Sequence, residues 1–365
     1  MSSSPTDMAS PYAGLESRAY WRTGVATQDP RTITGLYRRK FPIARTDNIV
    51  TAGSCFAQHV SRQLKQRGCA ILDAEPPPAG LSGEAAHRFG YDLYSGRYGN
   101  VYTVRQLLQL LREVRGRFQP EGWIWERDGR FYDALRPSVE PDGLASREEV
   151  MAHRASHLAR LRWLFGRGDL LVFTMGLTEA WQHRASGTIF PTAPGTIAGS
   201  FDPAEYEFVN FSYQEVYADF LLVRKILKAR RKEMRFLLTV SPVPLTATAS
   251  GDHVLAATLY SKSVLRAVAG RLAQELEDVD YFPSYDLIGS HFSKGAFYDR
   301  NLRSVTNEGV QSAMRMFFSE HVFEDAPAVP AAAPAVAAPV SAALDADEEA
   351  DDVVCEEMLL EAFAR

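Results

Sequence analysis

The residues Thr51-Ala52-Gly53-Ser54-Cys55-Phe56-Ala57 put a small hydroxyl side chain between an apolar stretch and the start of a helical pattern. Two roles are open to Ser54. Backbone N–H groups and the positive dipole end at a helix start stabilise developing negative charge, which suits a nucleophile whose product is an oxyanion. Serine is also a preferred helix N-cap, a purely structural use. Cys55 is the other nucleophile within reach, but its side chain points to a different face from Ser54, and packing is its first reading.

Upstream, Asn48-Ile49-Val50-Thr51-Ala52 reads as a short strand. Downstream, Phe56, Val60 and Leu64 recur at helical spacing until Gly68 supplies a C-cap. Residues 68–73 read as a second strand, which makes a strand-helix-strand unit and implies parallel pairing. The interval 76–165 opens with Pro76-Pro77-Pro78 and holds amphipathic helical segments at 104–114 and 148–165. Between them lies a hairpin turning at Asp128-Gly129. This interval is expected to be an insertion covering one end of the sheet. The pattern resumes with a buried strand at 169–176, then a Gly, Pro and Thr-rich insertion, a helix at 214–228 and a strand at 234–240. A helix at 261–277 and a strand at 279–282 complete it. The expectation is an α/β fold with an open parallel sheet of about five strands and helices on both faces. Such sheets bind ligands beyond the carboxyl ends of their strands, where Ser54, Thr178, Glu179, Ser241 and the 285–304 loop all fall.

With 365 residues and 46% hydrophobic content, the chain can bury a sizeable core without staples. Its three cysteines, Cys55, Cys69 and Cys355, contain no C-x-x-C pair, so neither a metal site nor a disulfide framework is expected. There is no basic leader followed by an apolar run and no stretch able to span a bilayer, so a cytoplasmic protein is expected. The P-loop, the dinucleotide fingerprint, the nucleophile elbow and H-E-x-x-H are missing, and no cofactor is expected. The net charge of −5 is uneven: residues 345–365 hold nine Asp or Glu and one Arg, so the remaining body is mildly basic. The runs Arg38-Arg39-Lys40 and Arg230-Arg231-Lys232 are too short for a nucleic-acid footprint. The main domain is read as 1–325, followed by an Ala/Pro-rich linker at 326–345 and an acidic tail at 346–365. Within 351–363, Val354, Cys355, Met358, Leu359, Ala362 and Phe363 form an apolar stripe. That segment is expected to be a helix that recruits a protein partner; the alternatives are that it folds back on its own domain or stays disordered.

Gly53-Ser54-Cys55-Phe56-Ala57 resembles the name-giving motif of the bacterial GSCFA family. The resemblance extends through Tyr98-Gly99-Asn100-Val101-Tyr102-Thr103, Gly176-Leu177-Thr178-Glu179-Ala180-Trp181, Ser241-Pro242-Val243-Pro244 and Tyr260-Ser261-Lys262-Ser263, over roughly residues 35–320. That family in turn resembles the SGNH, or GDSL-like, hydrolases. The resemblance implies a flavodoxin-like three-layer α/β/α sandwich and a serine ester hydrolase or O-acyltransferase. Its substrate would be an acylated carbohydrate or similar polar ester. Ser54 matches the nucleophile, Gly99 with Asn100 the oxyanion element, and Thr178 with Glu179 stands where the SGNH pattern has Asn-Asp. The C-terminal Asp-x-x-His block, which supplies acid and base, is replaced by Asn301-Leu302-Arg303-Ser304-Val305-Thr306. A serine attacks a carbonyl only when a neighbour takes its proton. His253, in a loop at the functional edge with Asp252 or Glu179 to orient it, is the expected base; His291 is second, and His59 reads as packing. The departure keeps open a non-catalytic glycan- or protein-binding scaffold.

Overall fold

The computed structural model describes residues 10–323 and 356–364. β1 (Ile49–Gly53), buried along its whole length, leads into α1 (Phe56–Gln66). The interval 76–165 supplies α2 (Gly83–Arg88), α3 (Val104–Val114), β2 (Ile124–Arg127), β3 (Arg130–Asp133) and α4 (Arg147–Phe165). Next come β4 (Leu170–Met175), β5 (Glu179–His183), β6 (Ile189–Phe190), β7 (Tyr206–Asn210) and α5 (Tyr213–Lys228). β8 (Arg235–Val240), α6 (Val254–Glu275), β9 (Val279–Tyr281), α7 (Ser284–Ile288) and α8 (Asn307–Glu320) follow.

The central sheet has the order β1-β4-β8-β9, and every pairing is parallel. It has four strands rather than about five. The segment 68–73 makes only one parallel bridge, Ile71 to Ile49, closed by Ile49 N–H to the Ala70 carbonyl and Leu72 N–H to the Ile49 carbonyl, both 2.9 Å. The Asp73 carboxyl then accepts the Glu75 N–H at 2.9 Å and turns the chain away before a second pair can form.

Successive strand residues face opposite layers, as the period of two requires. Val50, Leu171, Phe173 and Leu238 pack with Leu107 and Leu111 of α3, Phe220 of α5 and Leu265 of α6. Ile49, Leu170, Val172 and Leu237 pack on the other side with Val60 of α1, Leu287 of α7 and Phe317 of α8. The result is a three-layer α/β/α sandwich.

Two smaller sheets decorate it. β2 and β3 form the expected hairpin, with Asp128 at φ 53° and Gly129 at φ 73°, the positive pair that a two-residue primed turn demands. The sequence Glu179-Ala180-Trp181 belongs to an antiparallel sheet of order β6-β5-β7 that the pattern did not announce. Trp181 sits edge-on to Phe201 and Phe208 there, at 5.1 and 5.9 Å. The 76–165 interval is held by a buried ion network: Arg154 of α4 pairs with Glu113 of α3 and with Asp133 of β3, which also binds Arg136 at 2.7 Å.

α6 begins seven residues before the expected start, because His253 caps it by accepting the Leu255 N–H on Nδ1 at 3.1 Å. The expected linker, with Val354 and Cys355, lies outside the described residues, and from Glu356 to Phe363 the chain is a 3-10 helix. Among the described residues no helix is long and apolar enough to cross a membrane.

Candidate functional site

β1 ends in Gly53 at φ 141°, and a Cβ there would lie 2.4 Å from the Thr174 carbonyl oxygen. Only glycine lets β1 and β4 approach this closely. Ser54 follows at once. Its N–H donates to that same carbonyl at 3.1 Å, so it extends the ladder and is not available to an oxyanion, contrary to what a free N–H at this position would provide. Its carbonyl accepts the Ala57 N–H at 2.8 Å and opens α1. The hydroxyl does not cap the helix: Ser54 is 2% exposed and, among the described residues, Oγ has no hydrogen-bond partner.

The segment 99–103 crosses the carboxyl ends of β1 and β4. Val101 N–H donates to the Gly53 carbonyl at 2.8 Å, and the Tyr102 carbonyl accepts the N–H groups of Gly176 and Leu177 at 2.9 and 3.0 Å. Thr103 then closes a capping box with Gln106 and starts α3. Asn100 and Tyr102 reach one common acceptor, the Glu356 carboxyl group, while Val101 enters the core. The Asn100 amide is oriented by its neighbours. Its Oδ1 accepts from Tyr94 and from Gln58 Nε2, the latter at 3.4 Å, which turns Nδ2 outward. The Tyr94 hydroxyl also lies 3.1 Å from the Ser54 carbonyl, so Ser54 and Asn100 share one buried network.

Gly176 forms the next wall. A Cβ there would lie 2.8 Å from the Ser54 Cβ and 3.2 Å from the Tyr102 ring. The Gly176 carbonyl accepts from Lys262 Nζ at 2.7 Å, and Lys262 is 1% exposed. A buried amine therefore lies one residue from the Ser54 side chain. Beside it, Ser261 Oγ accepts the Thr178 N–H at 3.0 Å.

Across from these groups stands a carboxyl group from the far end of the chain. Glu356, 2% exposed, accepts from the Tyr102 hydroxyl at 2.7 Å and the Ser138 hydroxyl at 2.5 Å, and from Asn100 Nδ2. Gly99 completes this pocket, since a Cβ on it would come within 3.6 Å of Glu356 Oε1. Met358, Leu359 and Phe363 of the same 3-10 helix stay exposed.

The structure thus brings Ser54, Gly99 and Asn100 together. Thr178 and Glu179 serve other bonds: the Thr178 hydroxyl donates to Asn210 Oδ1 at 2.7 Å and secures β7, and Glu179 accepts from Thr248 at 2.9 Å. Burial, together with the nearby Asp252 charge, raises the Glu179 carboxyl above its ordinary range despite that bond. His253 is exposed at its cap, and His291 stacks on Trp21 at 5.4 Å. His59 packs at 5.8 Å from Phe56, and burial with Arg62 nearby pushes it down to about 4. Asn301 Oδ1 accepts the N–H groups of Arg303 and Ser304, both at 2.9 Å, so that block closes on itself as a turn.

Sequence reasoning missed Tyr102, Ser138, Lys262 and Glu356 as site residues. Tyr102 and Lys262 do lie inside quoted motifs, and their placement within those motifs was the available signal. A cavity of about 400 Å³ lies elsewhere, between Val114, Phe165 and Leu227 near the helix C-termini. Two of its arginines serve helix C-termini, Arg115 donating to the Ile226 carbonyl and Arg162 to the Val114 carbonyl.

The fold and site define an α/β sandwich protein with a buried serine at the carboxyl edge of a parallel sheet. The chain belongs to the GSCFA family, whose sequence model matches residues 48–317. No curated protein and no solved structure matches it.

Proposed function

We propose that this protein is an SGNH-like serine ester hydrolase or O-acyltransferase with Ser54 as its nucleophile. The observation that carries the reading is the Ser54 hydroxyl, buried and without a partner among the described residues at the sheet's ligand-binding edge. An unpaired buried hydroxyl costs about 1–3 kcal/mol, and a reacting group is a physical reason to retain one. In this reading Ser54 Oγ attacks the ester carbonyl carbon as its proton passes to a base. Asn100 Nδ2 and the Tyr102 hydroxyl donate to the carbonyl oxygen, and collapse expels the alcohol, which takes the proton back. Water or an alcohol then releases the acyl group. The polar lining suits an acylated carbohydrate or similar polar ester.

Two groups compete for the role of base. His253 would have to leave its cap on α6, whereas Lys262 is already buried one residue from Ser54, and Ser-Lys pairs are a known variant of the serine triad. The shared contact through Gly176 is the ground on which we take Lys262. Fluorophosphonate labelling is expected to modify Ser54 in the wild-type chain and not in Ser54→Ala. Lys262→Met is expected to slow labelling by about 10²- to 10⁴-fold, the usual contribution of a general base, with His253→Ala close to wild type. No adduct at Ser54, together with unchanged ester turnover in Ser54→Ala, would overturn the assignment. That outcome would favour a glycan- or protein-binding scaffold, for which the closed, acid-free turn at Asn301–Ser304 already speaks.

A further inference from the structure

We infer that Asn100, Tyr102 and Ser138 form a carboxylate-binding site beside Ser54, and that Glu356 of the C-terminal segment is its resident ligand, closing the site from within the same chain. The pocket rests on observations that do not involve esters. Three neutral donors from two separate loops converge on one carboxyl group, and each is independently held. Asn100 is turned outward by Tyr94 and Gln58. Tyr102 is clamped through its carbonyl to Gly176 and Leu177. Ser138 follows Arg136, which is fixed by Asp133 at 2.7 Å and by the Arg97 carbonyl at 3.0 Å. Gly99, at φ 66°, borders the second oxygen. Three convergent donors for two oxygens match the acceptor-only character of a carboxylate; a carboxamide in its place would force the Ser138 hydroxyl to turn from donor to acceptor and would lose the charge that strengthens all three bonds.

Among the described residues of the tail, Glu356 is the one that is fully buried. Glu356 is 2% exposed, while Met358, Leu359 and Phe363 are 48, 49 and 64% exposed. A buried carboxyl group flanked by exposed apolar side chains has the form of a displaceable ligand rather than of a core element. Its competitors are molecules with the same chemistry, above all a carboxylic acid such as an ester hydrolase releases. This last point rests on the proposed ester chemistry; the binding site and its occupant do not.

The test uses the full chain in its wild-type, Glu356→Ala and Glu356→Gln forms, with a synthetic peptide of residues 351–365 as probe. The peptide is expected to bind Glu356→Ala at least about tenfold more tightly than the wild-type chain, whose competent, open form is scarce. A peptide with Gln in place of Glu356 is expected to bind at least about tenfold more weakly. Tyr102→Phe in the Glu356→Ala background is expected to weaken the authentic peptide. Equal binding to the wild-type and Glu356→Ala chains, or equal binding of the two peptides, would overturn the inference. In parallel, fluorophosphonate labelling of Ser54 is expected to quicken about tenfold in Glu356→Ala. Discriminating peptide binding without any Ser54 adduct would sink the hydrolase reading and leave the carboxylate site standing. A Ser54 adduct formed at the same rate in all three chains, without discriminating binding, would do the reverse.

Discussion

The Ser54 hydroxyl lies where two glycines leave no slack. Gly53→Ala would drive a methyl group to 2.4 Å from the Thr174 carbonyl at a φ of 141°, which L-residues rarely adopt. It should cost about 3 kcal/mol or more, seen as a lost or steeply lowered denaturation midpoint. Gly176→Ala meets the Ser54 Cβ at 2.8 Å and the ring and carbonyl oxygen of Tyr102 at 3.2 Å, while its φ is ordinary. That variant should fold with a lowered midpoint, and at a temperature where it is folded labelling at Ser54 should fall by at least about tenfold, because a displacement of about 1 Å at a reacting atom is enough to lose rate. Lys262→Met carries a separate cost, since it strips the donor from the buried Gly176 carbonyl. About 1–3 kcal/mol of stability should go with it, so labelling rates need comparison at a temperature where both chains are folded.

At the level of elements, the site depends on how the 76–165 interval is pinned to the sandwich. Asp133 neutralises both Arg136 and Arg154 inside that interval. Burial works against the charged form of Asp133, but the two guanidinium groups hold its carboxyl below the usual range. Asp133→Ala leaves two buried cations short of a partner and should destabilise the fold by about 3–5 kcal/mol in chemical denaturation. Thr103→Ala, which removes the α3 cap next to Tyr102, should cost about 1 kcal/mol. The parallel sandwich was readable beforehand because Val50, Val172 and Leu238 belong to short apolar runs alternating with helical periods. Ser54, Gly99 and Asn100 were readable because each lies in a local motif at or across a strand end. The β6-β5-β7 sheet was not, since Glu179–His183 follows a buried strand so closely that its short alternation merges with it. Lys262 was hidden for a related reason: a lysine in a helix reads as surface until the face it buries is known. Glu356 was beyond reach, because its hydrogen bond to Asn100 spans 256 positions and no local pattern encodes such a contact.

The whole molecule carries an acid sensitivity distributed over its interior. Burial, with Arg136 nearby, lowers His157 to about 4, although its contact with Glu75 at 2.8 Å works the other way. Burial likewise lowers His321 to about 4, in the layer that holds Tyr37 and Phe317. Both take up a proton more readily when unfolded, so their contribution to stability is full above about pH 6.5 and is lost as pH falls toward 4. Thermal midpoints measured between pH 7 and 4 should fall steadily, and His157→Gln, which keeps a polar group near Glu75 without titrating in this range, should flatten part of that slope.

Glu356 reaches its donors on the same polypeptide that carries them. An intramolecular occupant is present at one copy per site whatever the protein concentration, and a tether can supply an effective concentration on the order of millimolar. Dilution therefore cannot relieve it. The ratio of Ser54 labelling rates between Glu356→Ala and the wild-type chain should be the same at nanomolar and micromolar protein. A ratio that shrinks on dilution would mean that the carboxyl group is exchanged between copies.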